Sequence, residues 1–302
     1  MDINRANLDA LFTTYSTAWR QIMLDQTKVD EVMFMATQFP SMSASNFYSW
    51  LDRVPRFRKW VGDRIFRDVR SQKFTVANVD YEDSVGISLN DILDDQFGQY
   101  AAVVGMMADA WQELKREIII DVLTDNSTTF TGKALVADDH AYGDYTIDNK
   151  TTSALTAASF NAAILAASAW QFSNGSLVKP RFTHLVVGES LRTTAWNILE
   201  NTRVANTGTS TTHIDVAIDN PNRGRCKMVV LPEIAGTYAS YWWLIDASHS
   251  VSPIALQIRK EAAPFMNTDP ARLEETGRMD YLASGRIAAA PTFPHLVYGG
   301  IV

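Results

Sequence analysis

The sequence predicts an α+β protein: an N-terminal helical arm, an extended two-stranded excursion, one long helix, an α/β region and closing strands. Three observations carry this. Apolar residues recur at helical spacing from Leu93 to Val122, β-branched and aromatic residues alternate with polar ones across residues 54–90, and helix-like and strand-like stretches alternate from residue 156 onward. With 46% apolar residues in 302, the chain can bury a substantial core.

Residues 3–35 read as helix, with an amphipathic stripe through Leu8, Leu11, Phe12, Tyr15, Trp19 and Met23 that ends before "SMSASNFYSW", following Pro40. Next comes "RFRKWVGDRIFRDVRSQKFTVANVDYEDSVGISLND", with a polar "RSQ" near its middle. An isolated hairpin is marginal in water, so this excursion needs a surface from elsewhere. Arg56, Arg58, Lys59, Arg64, Arg67 and Arg70 crowd onto it. They form either a solvated face or a set of partners for acidic patches on a neighbouring copy.

"DILDDQFGQY" places Asp91, Asp94 and Asp95 ahead of the long helical pattern, which runs through Leu93, Phe97, Tyr100, Val104, Met107, Trp111, Leu114, Ile118 and Val122. Free N–H groups and the positive end of the helix dipole favour carboxylates there, with Asn90 or Asp91 as N-cap. A metal site would need further ligands, and no His or Glu stands beside the cluster. Running to about Thr124, the helix would be on the order of 50 Å long, a spine for an elongated molecule.

The stretch "NSTTFTGKALVADDHAYGDY" reads as a loop in which His140, beside Asp138 and Asp139, takes a loop hydrogen bond. Beyond it, helix "AASFNAAILAASAWQF", strand "THLVVGES", helix "LRTTAWNILEN", and strands "CKMVVLPEI" and "YWWLIDAS" follow in turn. The polar stretch at about 201–225 reads as a partly mobile loop, and "RMDYLASGRIAAAPTFPHLVYGGIV" as long strands.

Chemistry is sparse. "VVGES" sets Ser190 between a strand and a helix, but Arg192 stands where a nucleophile elbow requires glycine. The histidines at 140, 184, 213, 249 and 295 are scattered, Cys226 suits a core position, and "YWWL" reads as buried strand rather than a stacking platform. A metal-dependent or serine hydrolase using Asp94, Asp95, His140 or Ser190 is the enzyme alternative. A net charge of −7 argues against gripping nucleic acid through phosphates. No apolar run is long enough to span a bilayer, and "MDINRANLDALF" lacks the order of a signal peptide, which predicts a cytosolic start.

Three stretches carry a resemblance: "RKWVGDR" (58–64), "YEDSVGISLNDILDDQFGQY" (81–100) and "FTGKALVADDHAYG" (130–143). The sequence resembles the major head subunit family of Mu-like tailed bacteriophages, a branch of the HK97-like capsid fold. It departs at Leu89, where the family often has a basic residue, and in "FTGKALVADDH", which has leucine where an aromatic is common.

The resemblance implies an N-terminal arm (1–53), an extended loop (54–90), a peripheral domain with the spine helix (91–155), an axial domain (156–265) and return strands of the peripheral domain (266–302). It implies self-assembly as hexamers and pentamers into an icosahedral head around double-stranded DNA, with expansion from a precursor shell and without catalysis, cofactor or metal. Contacts between subunits would be made by Arg56, Arg58, Lys59, Arg64, Arg67 and Arg70, with Trp60 and Phe66 as apolar anchors. Implied partners are portal, scaffolding and decoration proteins, with DNA as a non-specific neighbour and no membrane. The implied location is the virion, and the host cytoplasm during assembly. An encapsulin-like compartment shell is the alternative within the same fold.

Overall fold

Two larger sheets, joined by one long helix, organise the computed structural model, which describes residues 5–25, 27–48, 74–94, 97–204 and 218–302. The helices are α1 (Arg5–Leu24), α2 (Thr27–Met33), α3 (Leu89–Leu93), α4 (Phe97–Thr124), α5 (Ala157–Ser168), α6 (Arg192–Leu199) and α7 (Pro270–Thr276). The early strands are β1 (Ala36–Pro40), β2 (Ser45–Phe47), β3 (Thr75–Ala77), β4 (Val79–Ser88), β5 (His140–Tyr142), β6 (Tyr145–Ile147) and β7 (Lys150–Thr151). The later ones are β8 (His184–Val187), β9 (Arg203–Val204), β10 (Ile218–Asp219), β11 (Lys227–Val230), β12 (Trp242–Ile245), β13 (Ile254–Met266), β14 (Arg278–Pro291) and β15 (Val297–Gly300).

The helical reading of residues 3–35 resolves into two helices. Asp25 separates them: its carboxylate accepts the Thr27 N–H at 3.1 Å and starts α2. The expected stripe is real, for Leu8, Leu11, Tyr15 and Trp19 of α1 are buried against Val104, Met107, Ala108 and Trp111 of α4. Directly after α2 the chain becomes β1, which pairs in parallel with β13.

The four-stranded sheet has the order β1-β13-β14-β4. Residues 79–88 were expected to pair within the excursion. Instead the whole of β4 pairs antiparallel with residues 278–287 of β14. Tyr81, Val85 and Ile87 point to the core formed with α1 and α4, while Asp80, Glu82 and Ser84 point outward, a period-two pattern that needs a long partner strand to bury one face. Strand β13, which the sequence reading did not separate from the preceding unit, pairs with β14 along its length, with register shifts between Ile258 and Lys260 and between Lys260 and Ala263.

The five-stranded sheet has the order β11-β8-β12-β15-β7, so the chain's closing strand β15 joins this sheet rather than the four-stranded one. Its central strand β12 is buried at every position, as is β15. One face, through Leu185, Val187, Trp242 and Leu244, packs on Phe160, Ala163 and Ala167 of α5 and Ala195, Ile198 and Leu199 of α6. The other, through Val186, Trp243 and Ile245, packs on Ile119, Ile120 and Leu123 of α4.

Helix α4 therefore serves both sheets, with its first half against the four-stranded sheet and its last turns beneath the five-stranded one. At 28 residues it is about 42 Å long. The expected single helix starting near Asp91 is in fact two, α3 and α4. The carboxylate at a helix start is Asp91 in the first turn of α3, while α4 has no acidic residue in its first turn. The side chain that caps α3 is Ser88, whose hydroxyl accepts the Asn90 N–H at 3.2 Å, rather than Asn90 or Asp91.

Candidate functional site

The contact residues expected from the sequence, Arg56, Arg58, Lys59, Trp60, Arg64, Phe66, Arg67 and Arg70, lie outside the described residues. What the structure describes is the chain on either side of them and the surface beside it.

There, β2 and β3 pair antiparallel, and the Tyr48 N–H donates to the Phe74 carbonyl at 2.9 Å. Residues 48 and 74, the described residues on either side of 49–73, thus lie side by side. A buried polar clasp fixes that pairing. Gln257 of β13, fully buried, accepts the Tyr48 hydroxyl at 2.9 Å and donates to Asn78 Oδ1 at 2.8 Å. Asn78 in turn donates to Ser41 Oγ at 3.0 Å and to the Ser43 carbonyl at 2.9 Å. With its amide engaged on both sides, Gln257 holds both ends of the interval to the sheet without leaving a buried polar group unpaired. Sequence reasoning missed this clasp, because Tyr48, Asn78 and Gln257 lie far apart in the chain and follow no motif.

Beside this pairing runs β4, an outer strand with Asp80, Glu82 and Asp83 exposed. Asp80 pairs with Arg286 at 2.5 Å. Between this strand and the helices lies a cavity of about 290 Å³, whose lining includes Trp19, Tyr81, Glu82, Asp83, Met107 and Trp111. The Trp111 indole N–H donates to Glu261 at 2.8 Å, and buried Lys115 stands 3.5 Å from the same carboxylate. On the other side of α4, Arg116 reaches Glu31 of α2 at 2.6 Å and forks onto Glu233. The Glu233 hydrogen bond, above all, holds the guanidinium in its charged form against the cost of burial.

The enzyme candidates do not converge. Asp91 accepts the Tyr100 hydroxyl, the Asp94 N–H closes α3 onto the Asn90 carbonyl, and Asp95 lies outside the described residues. Fully buried His140 shares its Nδ1 with Thr131 (2.9 Å) and its Nε2 with the Leu135 carbonyl (3.2 Å), the loop hydrogen bonding expected of it. Burial pushes its pKa down. The Ser190 hydroxyl donates to the Ala239 carbonyl, so no base engages it among the described contacts. Cys226 is buried, its thiol pushed up to about 11 by burial. Trp242 and Trp243 are fully buried, as the strand reading requires. Of the polar loop at 201–225, residues 205–217 lie outside the described residues. Among the described residues no group of three or more His, Cys, Asp or Glu could hold a metal ion, and no helix is long and apolar enough to cross a membrane.

Comparison with known proteins matches residues 8–155 to the family described as Mu-like prophage major head subunit gpT. Residues 8–155, just under half of the chain, are similar to that family. Two relatives agree. The Mu-like prophage FluMu major head subunit of Haemophilus influenzae is 31% identical over 111 residues, 36% of each chain. The major capsid protein of Escherichia phage Mu is 29% identical over 128 residues, 42% of this chain and 41% of that one. The matched part thus spans well under half the length of either relative.

In three dimensions the likeness runs through the whole chain. The subunit in the procapsid of bacteriophage JBD30 is matched with a TM-score of 0.58 at 20% identity, over 98% of this chain and 75% of that one. A subunit of Mycobacterium phage Patience is matched with a TM-score of 0.55 at 12% identity, over 95% and 86%. The fold is the HK97-like capsid fold, and α4 is its long helix. The family and these relatives are structural head proteins rather than enzymes.

Proposed function

We propose that this chain is the major capsid subunit of a tailed double-stranded DNA bacteriophage and self-assembles as hexamers and pentamers into an icosahedral head around the genome. The observation that carries the reading is that the head-subunit match over residues 8–155 continues into a capsid fold across 98% of the chain. Its working parts are the arm (1–53), the extended loop (54–90), the peripheral domain (91–155 with 266–302) and the axial domain (156–265). Arg56, Arg58, Lys59, Arg64, Arg67 and Arg70, with Trp60 and Phe66, make contacts on neighbouring subunits. Many modest contacts within a closed shell add up, because a subunit leaves only when all its neighbours release it.

Portal, scaffolding and decoration proteins complete the particle, the head forms in the host cytoplasm, and the precursor shell expands on maturation. A net charge of −7 keeps packaged DNA a neighbour rather than a tight ligand. The test is negative-stain microscopy with size-exclusion chromatography of the expressed chain. Capsomers or closed shells are expected, and a compact monomer at high concentration would overturn the reading.

A further inference from the structure

No ladder joins the β2–β3 ribbon to the four-stranded sheet: among the described residues β2 and β3 pair with each other alone. Its buried apolar side chains are Tyr48, which meets Phe39 edge-on with ring centroids 5.7 Å apart, and Val76. Phe47, Thr75 and Ala77 are exposed. One side chain of the sheet ties the ribbon down. Gln257 of β13 accepts the Tyr48 hydroxyl at 2.9 Å and donates to the Val76 carbonyl at 3.3 Å and to Asn78 Oδ1 at 2.8 Å, so a single buried amide reaches the end of β2, the middle of β3 and the residue after it. A second set of bonds staples the ribbon's entry and exit to each other. The Asn78 side chain donates to Ser41 Oγ at 3.0 Å and to the Ser43 carbonyl at 2.9 Å, and the Asn78 backbone N–H donates to the Ala44 carbonyl at 3.0 Å.

The two sets of bonds have different consequences. The Asn78 staple makes both strands move together, because neither end can shift without breaking bonds to the other. The Gln257 bonds hold the pair to β13, and their net contribution is modest, since water replaces them once the site opens. A ribbon with two buried apolar anchors and one exposed face opens at lower free energy than the long β13–β14 ladder beside it. Its hinges are short. The Ser41 N–H is still held by the Ile258 carbonyl at 2.9 Å, and β4 begins at Val79, which leaves residues 42–44 and Asn78 to turn. We propose that the β2–β3 ribbon is a flap that opens from β13 as one unit, with Gln257 as its latch, while the four-stranded sheet stays intact. The inference concerns the single subunit and does not rest on the shell reading.

Hydrogen exchange on the unassembled full chain tests this, read over 42–48 and 74–78 against 254–266 and 278–287. In the unmodified chain the hydrogen-bonded amides of both ribbon segments should share one opening equilibrium and exchange at least roughly tenfold faster than those of the sheet. Gln257→Leu removes all three latch bonds and leaves the Tyr48 hydroxyl and Asn78 Oδ1 without them. It should speed both ribbon segments roughly tenfold further and leave 278–287 unchanged. Tyr48→Phe removes one latch bond and keeps the ring on Phe39, so the same two segments should accelerate by less. Ribbon segments that exchange at the sheet's rate in the unmodified chain, or independently of each other, would overturn the flap. Acceleration of 278–287 in step with the ribbon in Gln257→Leu would overturn it too. If neither variant folds, the ribbon belongs to the global unit and the proposal fails as well.

Discussion

Each large sheet seats a tryptophan on a glycine, but the two sites are enclosed differently. In the five-stranded sheet, Trp242 of β12 stands opposite Gly300 of β15, where an added Cβ would lie 2.0 Å from the indole nitrogen. That ring is fully buried, and its N–H donates to the Ser153 carbonyl at 3.1 Å. In the four-stranded sheet, Trp111 comes from α4 and covers Gly285, where an added Cβ would lie 2.2 Å from the ring, but here the ring borders an open slot and an exposed outer strand. The first sheet closes on itself between α4 and the α5–α6 layer. The second is closed by α1 and α4 yet leaves a long outer strand and a cavity of about 290 Å³ at its edge.

The sharpest way to break this contrast is Trp242→Ala, which empties a fully enclosed site and should cost about 4 kcal/mol in urea unfolding of the unassembled subunit. A loss below about 1 kcal/mol would show that the five-stranded sheet is not the stable unit. Gly285→Ala should cost less, about 2 kcal/mol, because the Trp111 ring can yield toward the slot. If it matched Trp242→Ala, the four-stranded sheet would be as tightly closed as the other.

How much of this was legible beforehand follows the range of the interactions. The stripe of α1, the helical run through residues 97–124 and the buried "YWWL" strand rest on local periodicity, and the structure agrees with each. The partner of β4 was not legible, since Asp80 and Glu82 alternate with Tyr81 equally well in a local hairpin or against a strand about 200 residues away. Nor was the split between α3 and α4, because apolar spacing runs unbroken through Leu93 and Phe97. The Gln257 clasp and the slot bring together side chains from three or more separate elements, and no spacing in the sequence records that. The basic run was legible as charge, and its side chains lie outside the described residues.

Arg116→Met tests whether the two regions are tied through α4. It removes a nearly buried cation from between Glu31 and Glu233, but Glu31 is two-thirds exposed and solvates readily, so the expected loss is about 2 kcal/mol rather than the full cost of stranding a buried ion. Acid sensitivity, in contrast, should belong to the five-stranded sheet's end of the molecule. His295 is buried, with its Nδ1 3.1 Å from the Tyr142 hydroxyl, and burial, then the nearby His249 and His140, push its pKa down to about 3. The folded chain refuses a proton that the unfolded chain takes up near pH 6.5. The histidine's contribution is therefore complete above that pH and is lost as the pH falls toward about 3, at about 1.4 kcal/mol per pH unit. His295→Gln should flatten the acid limb of unfolding free energy between pH 6.5 and 4.5 relative to the unmodified chain. Parallel limbs would refute it.

The smallest effect expected is at the start of α5, the helix that covers one face of the five-stranded sheet. Thr156 caps it through a reciprocal box: its hydroxyl accepts the Ser159 N–H at 3.1 Å, and Ser159 Oγ accepts the Thr156 N–H at 2.9 Å. Thr156→Ala frees the Ser159 N–H, which water can reach, while the N–H of residue 156 keeps Ser159 Oγ, so the cost is that of a cap alone, about 1 kcal/mol, and Thr156→Ser should recover most of it. Because Phe160, Ala163 and Ala167 anchor the helix one turn further on, losing the cap should fray only the first turn, which hydrogen exchange can resolve from the rest. Protection lost along the whole of α5 would mean that its packing on the sheet depends on that first turn, and the five-stranded unit would then be less self-sufficient than its buried strands indicate.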